Sequence, residues 1–225
     1  MKNPNSVEIL ASLVNETPEI CSLEFAQFDV YDLIQNRIDV ENELKAPFFA
    51  ALKIRETYQL PFWDSFNLNL FNREIHDFTF LKQILFHNFS SDSIIISRHE
   101  LLSEKRLAFE RYTAVTSKLP MLQEEFHLTL LDFHIPVSIQ NQGLCMSVLK
   151  ELKLSGFLLD SGKSYHFIGK KLYTKSEWRE KLYHALLLCP IIDRAWITHQ
   201  LIQGFSCLRV TTKYGRLPFL VAEIS

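Results

Sequence analysis

Apolar positions recur along this chain in two rhythms. Up to about residue 120 they fall three and four apart, which places them on one face of a helix. Val7, Leu10, Leu13 and Val14 predict a helix over 6–15 with Ser6 as its cap. Helical spacing continues over 29–58, interrupted at Pro47, whose ring removes an amide donor. Phe80, Leu81, Ile84 and Leu85 predict a further helix over 77–87, capped by Asp77. Ser93-Ile94-Ile95-Ile96-Ser97 is the strand signal of this half, and a helix is predicted over 100–117. Pro120 ends it and marks a boundary.

After that boundary the runs shorten. Strands are predicted over 126–135, 157–159 and 165–168, with a helix over 142–152 whose inward face is Leu144, Val148, Leu149 and Leu152. Thr174 and Glu177 have capping-box spacing ahead of Trp178, Leu182, Ala185 and Leu186. A short helix over 193–201 and strands over 207–211 and 217–221 complete the order β-α-β-β-α-α-β-β. That order approaches the split β-α-β of ferredoxin-like and RNA-recognition folds. The expectation is an α+β chain: residues 1–120 mostly helical, residues 121–225 a mixed core.

Composition narrows the class. At 225 residues the chain is one large domain or two small ones, with 18 Phe and only 6 Gly. No apolar run approaches the roughly 18 residues of a membrane span. The N-terminus lacks the apolar core of a secretory signal. The four cysteines, Cys21, Cys145, Cys189 and Cys207, form no CxxC pair and read as reduced thiols of a cytoplasmic protein. The net charge of −2 hides an asymmetry: residues 161–225 carry ten Lys/Arg against four Asp/Glu. The C-terminal third can therefore face a polyanion, or its cations can simply be solvated.

Asp160-Ser161-Gly162-Lys163-Ser164-Tyr165-His166 lies between two strand signals. Small residues, one cation and one imidazole suit a turn that holds phosphate. Gly162-Lys163-Ser164 resembles the end of a P-loop, but the required first glycine is Phe157, and a strand rather than a helix follows. Asp132 and Asp193 each close an apolar run, one before the turn and one after it. Two carboxylates at strand ends around a phosphate-binding turn suit metal-dependent nucleotidyl transfer.

Residues 126–221 resemble the archaeo-eukaryotic primase superfamily, the primase-polymerases. Three short motifs carry the resemblance: Asp132-Phe133-His134, Ser164-Tyr165-His166 and Ile192-Asp193. The resemblance implies an RNA-recognition-like core. It also implies Asp132, His134 and Asp193 as metal ligands, and Asp132, Asp193 and His166 as catalytic residues. Ser161, Gly162, Lys163, Ser164, His166 and Arg209 would bind the triphosphate. The first motif departs from the family's pair of acids, because His134 stands at the second position. Mg²⁺ accepts imidazole poorly and Mn²⁺ better. Position 134 thus marks either an altered preference between Mg²⁺ and Mn²⁺ or a site that has lost catalysis.

Each residue also has a plainer reading. Asp132 can cap a turn, Asp193 can cap the helix that follows it, and His166 can be an ordinary strand histidine. Arg209 can pair with Glu223. The leading expectation is a nucleotidyltransferase acting on a nucleoside triphosphate with a DNA or RNA template, as in DNA replication. The alternative is a catalytically degenerate nucleotide- or nucleic-acid-binding subunit. A partner subunit would supply the template grip that a modest basic excess lacks. An interaction protein docking through its acidic, aromatic-rich N-terminal half is the third expectation.

Overall fold

The computed structural model describes residues 3–28, 42–58, 60, 64–66, 92–103, 109–120, 124–213 and 215–225, with the backbone alone for 42–48. The helix expected over 77–87, with its cap Asp77, lies outside the described residues, as does 29–41 of the helix expected over 29–58. The chain divides into two compact units. One joins Met1–Gln27 to Ser91–Ser225, and the other is Phe28–Ser90. In the second unit, helix α2 (Asn42–Tyr58) runs through Pro47, and Ala51 and Phe66 are buried.

The first unit is α+β, with two four-stranded sheets. Strands β1 (Ser22–Phe28), β2 (Asp92–Ser97), β3 (Tyr112–Thr116) and β7 (Cys207–Arg209) form one sheet in the order β2-β1-β3-β7. Strands β4 (Phe126–Asp132), β5 (Gly156–Asp160), β6 (Tyr165–Thr174) and β8 (Phe219–Ile224) form the other, fully antiparallel, in the order β4-β6-β5-β8. Helix α4 (Ile139–Glu151) connects β4 to β5, and β6 lies between those strands. This is the split β-α-β that the element order suggested.

Two sequence expectations are corrected. Helix α1 (Ser6–Glu16) is capped by Asn5, not Ser6; Asn5 and Glu8 form a capping box and Ser6 is buried. Among the described residues, the helix expected over 100–117 is represented by α3 (Arg98–Leu101), and Tyr112-Thr113-Ala114-Val115-Thr116 is a strand. β-branched and aromatic residues suit a pleated surface, and β7 offers that strand a partner. Strand β7 joins the N-terminal sheet and β8 the edge beside β5.

The second sheet is buried on both faces, which explains why Phe157-Leu158-Leu159 is apolar without alternation. Phe157, Leu159, Leu130 and Ile168 pack with α1 and β1, in a core that also holds Leu208 and Val210. Leu158, Leu131, Phe133 and Phe167 pack with α4 and α5 (Lys175–Leu186), notably Cys145, Leu149, Trp178 and Leu182. Gly156 lets β5 and β6 close: a Cβ there would lie 2.2 Å from the Ile168 carbonyl oxygen. Its φ of +156° is one that other residues rarely adopt.

Candidate functional site

The two-residue period of a strand decides which motif residues meet. Asp132 lies directly opposite His166 in the β4–β6 pair, as Leu130 lies opposite Ile168. Both side chains therefore continue the sheet face that carries Leu130, Leu159 and Ile168, at the end of the strands. His166 Nε2 is 3.7 Å from Asp132 Oδ1, and their side chains are 10% and 26% exposed.

Asp193 is brought to the same strand end by its backbone. Its N–H donates to the Asp132 carbonyl oxygen at 2.9 Å, and His134 N–H donates to the Ile191 carbonyl oxygen at 2.8 Å. The Asp193 side chain caps α6 (Arg194–Gln203), accepting from Trp196 N–H at 2.9 Å. Asp193 Oδ2 also lies 3.5 Å from His134 Nδ1. Burial opposes ionisation of Asp193, but His134 and the amides of Trp196 and Ala195 outweigh it, holding the carboxyl below its ordinary value.

The turn 161–164 joins β5 to β6, and no helix follows it. The donors of Ser161 and Gly162 are used locally. Ser161 N–H donates to the Ser164 carbonyl oxygen at 2.9 Å, Ser161 Oγ donates to the same oxygen at 3.0 Å, and Gly162 N–H donates to Asp160 Oδ1 at 2.7 Å. Gly162 has φ +108°, and no atom comes within 4 Å of where a Cβ would sit. The Lys163 side chain is exposed. Gly162 thus spends its amide on its own turn, although the resemblance assigns it to a phosphate.

Arg209 enters this group from the other sheet and is 8% exposed. Its Nη2 donates to the Ser161 carbonyl oxygen at 2.6 Å, and its Nη1 donates to the Thr211 carbonyl oxygen. Burial and the nearby charges of Arg209 and Lys213 push the His166 imidazole down to about 3, so it is neutral at physiological pH. Lys213 was not among the residues singled out in the sequence. It lies in an exposed loop, and no short motif marks it; only the basic excess of the C-terminal third hinted at it.

The structure thus gathers Asp132, His134, Asp193, His166 and the turn 161–164 at one end of the second sheet. The carboxylates and imidazoles do not close on one ion. Among the described residues no group of three or more His, Cys, Asp or Glu side chains is arranged to hold a metal.

A family model described as archaeo-eukaryotic primase 1D-like matches residues 96–221, more than half of the chain. No curated protein and no solved structure matches. The matched segment contains β4, β5 and β6 and every motif residue described above.

Proposed function

Because this chain belongs to the archaeo-eukaryotic primase family, we propose that it joins nucleotides on a DNA or RNA template, with its chemistry in residues 121–225. The oxygen of a terminal 3′-hydroxyl, its proton passing to water, would attack the α-phosphorus of a nucleoside triphosphate. The new O–P bond forms as the bond to the β-phosphate oxygen breaks, and pyrophosphate leaves. The supporting observation is the opposition of Asp132 and His166 across β4 and β6, with Asp193 bridged to Asp132 through the backbone.

Neutral His166 would donate one N–H to a triphosphate oxygen, Ser164 would add a hydroxyl and Lys163 a charge. Gly162 and Ser161 would shape the turn beneath the phosphates. Asp132 and Asp193 would take the catalytic acid positions. Family members are typically metal-dependent. Asp193 Oδ2 and His134 Nδ1, 3.5 Å apart, are near enough to share one ion, and imidazole at position 134 would favour Mn²⁺ over Mg²⁺. The donors as they stand do not form that site, so no step is assigned to a metal.

His134 in place of a second acid in the first motif favours a second reading, a degenerate subunit that binds nucleotide or nucleic acid without chemistry. Incorporation of labelled nucleoside triphosphates on primed and unprimed templates, in Mg²⁺ and separately in Mn²⁺, decides between them. Product that disappears in Asp132→Ala supports the transferase. Triphosphate binding without product in either metal supports the subunit. Neither binding nor product overturns both.

A further inference from the structure

Arg209 matched a phosphate-binding cation in the sequence, yet it is one of the most enclosed charged side chains among the described residues. Burying a guanidinium is costly unless its donors are used. Here they are used on main-chain oxygens: Nη2 on Ser161 in the β5–β6 turn, at 2.6 Å, and Nη1 on Thr211 just beyond β7. The donor belongs to the N-terminal sheet and the first acceptor to a turn of the other sheet. Arg209 is anchored in turn by β3, through the pairing of Ala114 with Arg209.

Ser161 is the point where such a latch has leverage. Its N–H and hydroxyl both hold the Ser164 carbonyl oxygen, so fixing the Ser161 carbonyl fixes the closure of the whole turn. Ser164 opens into β6, and two residues along the same face is His166, opposite Asp132. We propose that Arg209 is a positioning residue that contacts no nucleotide. It clamps the turn 161–164 against the β7 end of the other sheet, so that Ser164 and His166 present their donors beside Asp132. The placement of those donors towards a triphosphate rests on the function proposed above; the clamp itself does not.

The clamp is tested by amide hydrogen exchange of the ligand-free protein, and its consequence by binding of ATP labelled with N-methylanthraniloyl. Arg209→Ala is expected to speed exchange of the Ser161 and Gly162 amides roughly tenfold, the scale of losing a charged hydrogen bond. Amides of β5 and β8 keep their rates. Labelled-ATP affinity falls about tenfold, and adding Ser164→Ala lowers it no further, because both substitutions act through one turn. Arg209→Lys gives smaller changes of the same kind and serves if Arg209→Ala does not fold. Unchanged exchange at Ser161 and Gly162 overturns the clamp. Faster exchange with unchanged affinity overturns its role in binding. Additive losses with Ser164→Ala would mean that Arg209 meets phosphate directly, which also overturns it. If the wild type binds no labelled ATP, the proposed function fails, and the exchange rates alone support or overturn the clamp.

Discussion

The N–H of Asp193 donates to the carbonyl oxygen of Asp132 across 2.9 Å, joining two acids that lie far apart in sequence. This bond is independent of either side chain. The Asp193 carboxylate separately caps α6, so its substitution confounds folding with chemistry. Asparagine is as good a helix cap as aspartate but carries no charge. Asp193→Asn keeps the cap but loses the charge that faces His134, so it is expected to lower the thermal midpoint less than Asp193→Ala does and to abolish nucleotide incorporation. Asp193→Ala should lose both, with a stability cost of about 1 kcal/mol. Thermal melts beside the incorporation assay check this; full activity in Asp193→Asn would remove Asp193 from the chemistry.

His134→Asp restores the acidic pair of the family's first motif. It replaces the imidazole facing Asp193 with a second carboxylate. Two close carboxylates repel without a cation, so the variant should melt lower than the wild type in chelator. Mg²⁺ should then raise its midpoint, by about 1.4 kcal/mol of stability for each tenfold of metal above the dissociation constant. The wild type should respond to Mg²⁺ much less. Equal responses in calorimetry would show that position 134 does not set metal preference.

Gly156 is where β5 begins between β6 and β8. A methyl group there would collide with the Ile168 carbonyl oxygen at 2.2 Å, which is backbone and cannot swing away. Gly156→Ala is expected to cost about 3 kcal/mol, in the range of forced backbone strain and overpacking. Gly162→Ala meets no atom within 4 Å and should cost less, through its positive φ alone. Denaturant midpoints of the two variants order these costs; the reverse order would contradict the packing of the hairpin.

His127 is fully buried on β4, stacked on Trp178 with ring centroids 4.7 Å apart, and its Nδ1 lies 2.9 Å from Ser117 Oγ. Burial lowers its pKa below 6.5, and the nearby Glu125 only partly opposes this. A histidine held neutral in the fold binds a proton more readily when unfolded. Its contribution is therefore intact above about pH 6.5 and is lost as pH falls below that value. His166, lowered to about 3, acts in the same direction between 6.5 and 3. Stability should fall as pH drops from 7 to 5, and His127→Gln, though less stable at pH 7, should show a shallower slope. A slope unchanged in His127→Gln would assign the acid lability to other groups.

The strands of the second sheet were readable as short apolar runs bounded by turn residues. Ser164-x-His166 and Asp132-x-His134 each place two polar side chains on one sheet face, and the turn between β5 and β6 follows from its small residues. The Thr174 capping box and the Asp193 cap were equally local, because each is closed within four residues. Strand Tyr112–Thr116 was misread as helix, since its pattern fits either until β7 supplies a partner.

What the sequence determined is the set of properties that depend on near neighbours: period, caps, the turn, and an α+β order with a split β-α-β at its centre. Which sheet receives β7 was decided only by the tertiary structure. A three-residue strand carries too little pattern to choose its partner, and that choice is made by the burial of Leu208 and Val210. On that choice depends whether Arg209 faces solvent or is enclosed against Ser161. The meeting of His134 with Asp193 is of the same kind, because it needs Phe133 and Ile192 to pair across a long separation in sequence. Local chemistry named the participants, and long-range packing assigned their contacts.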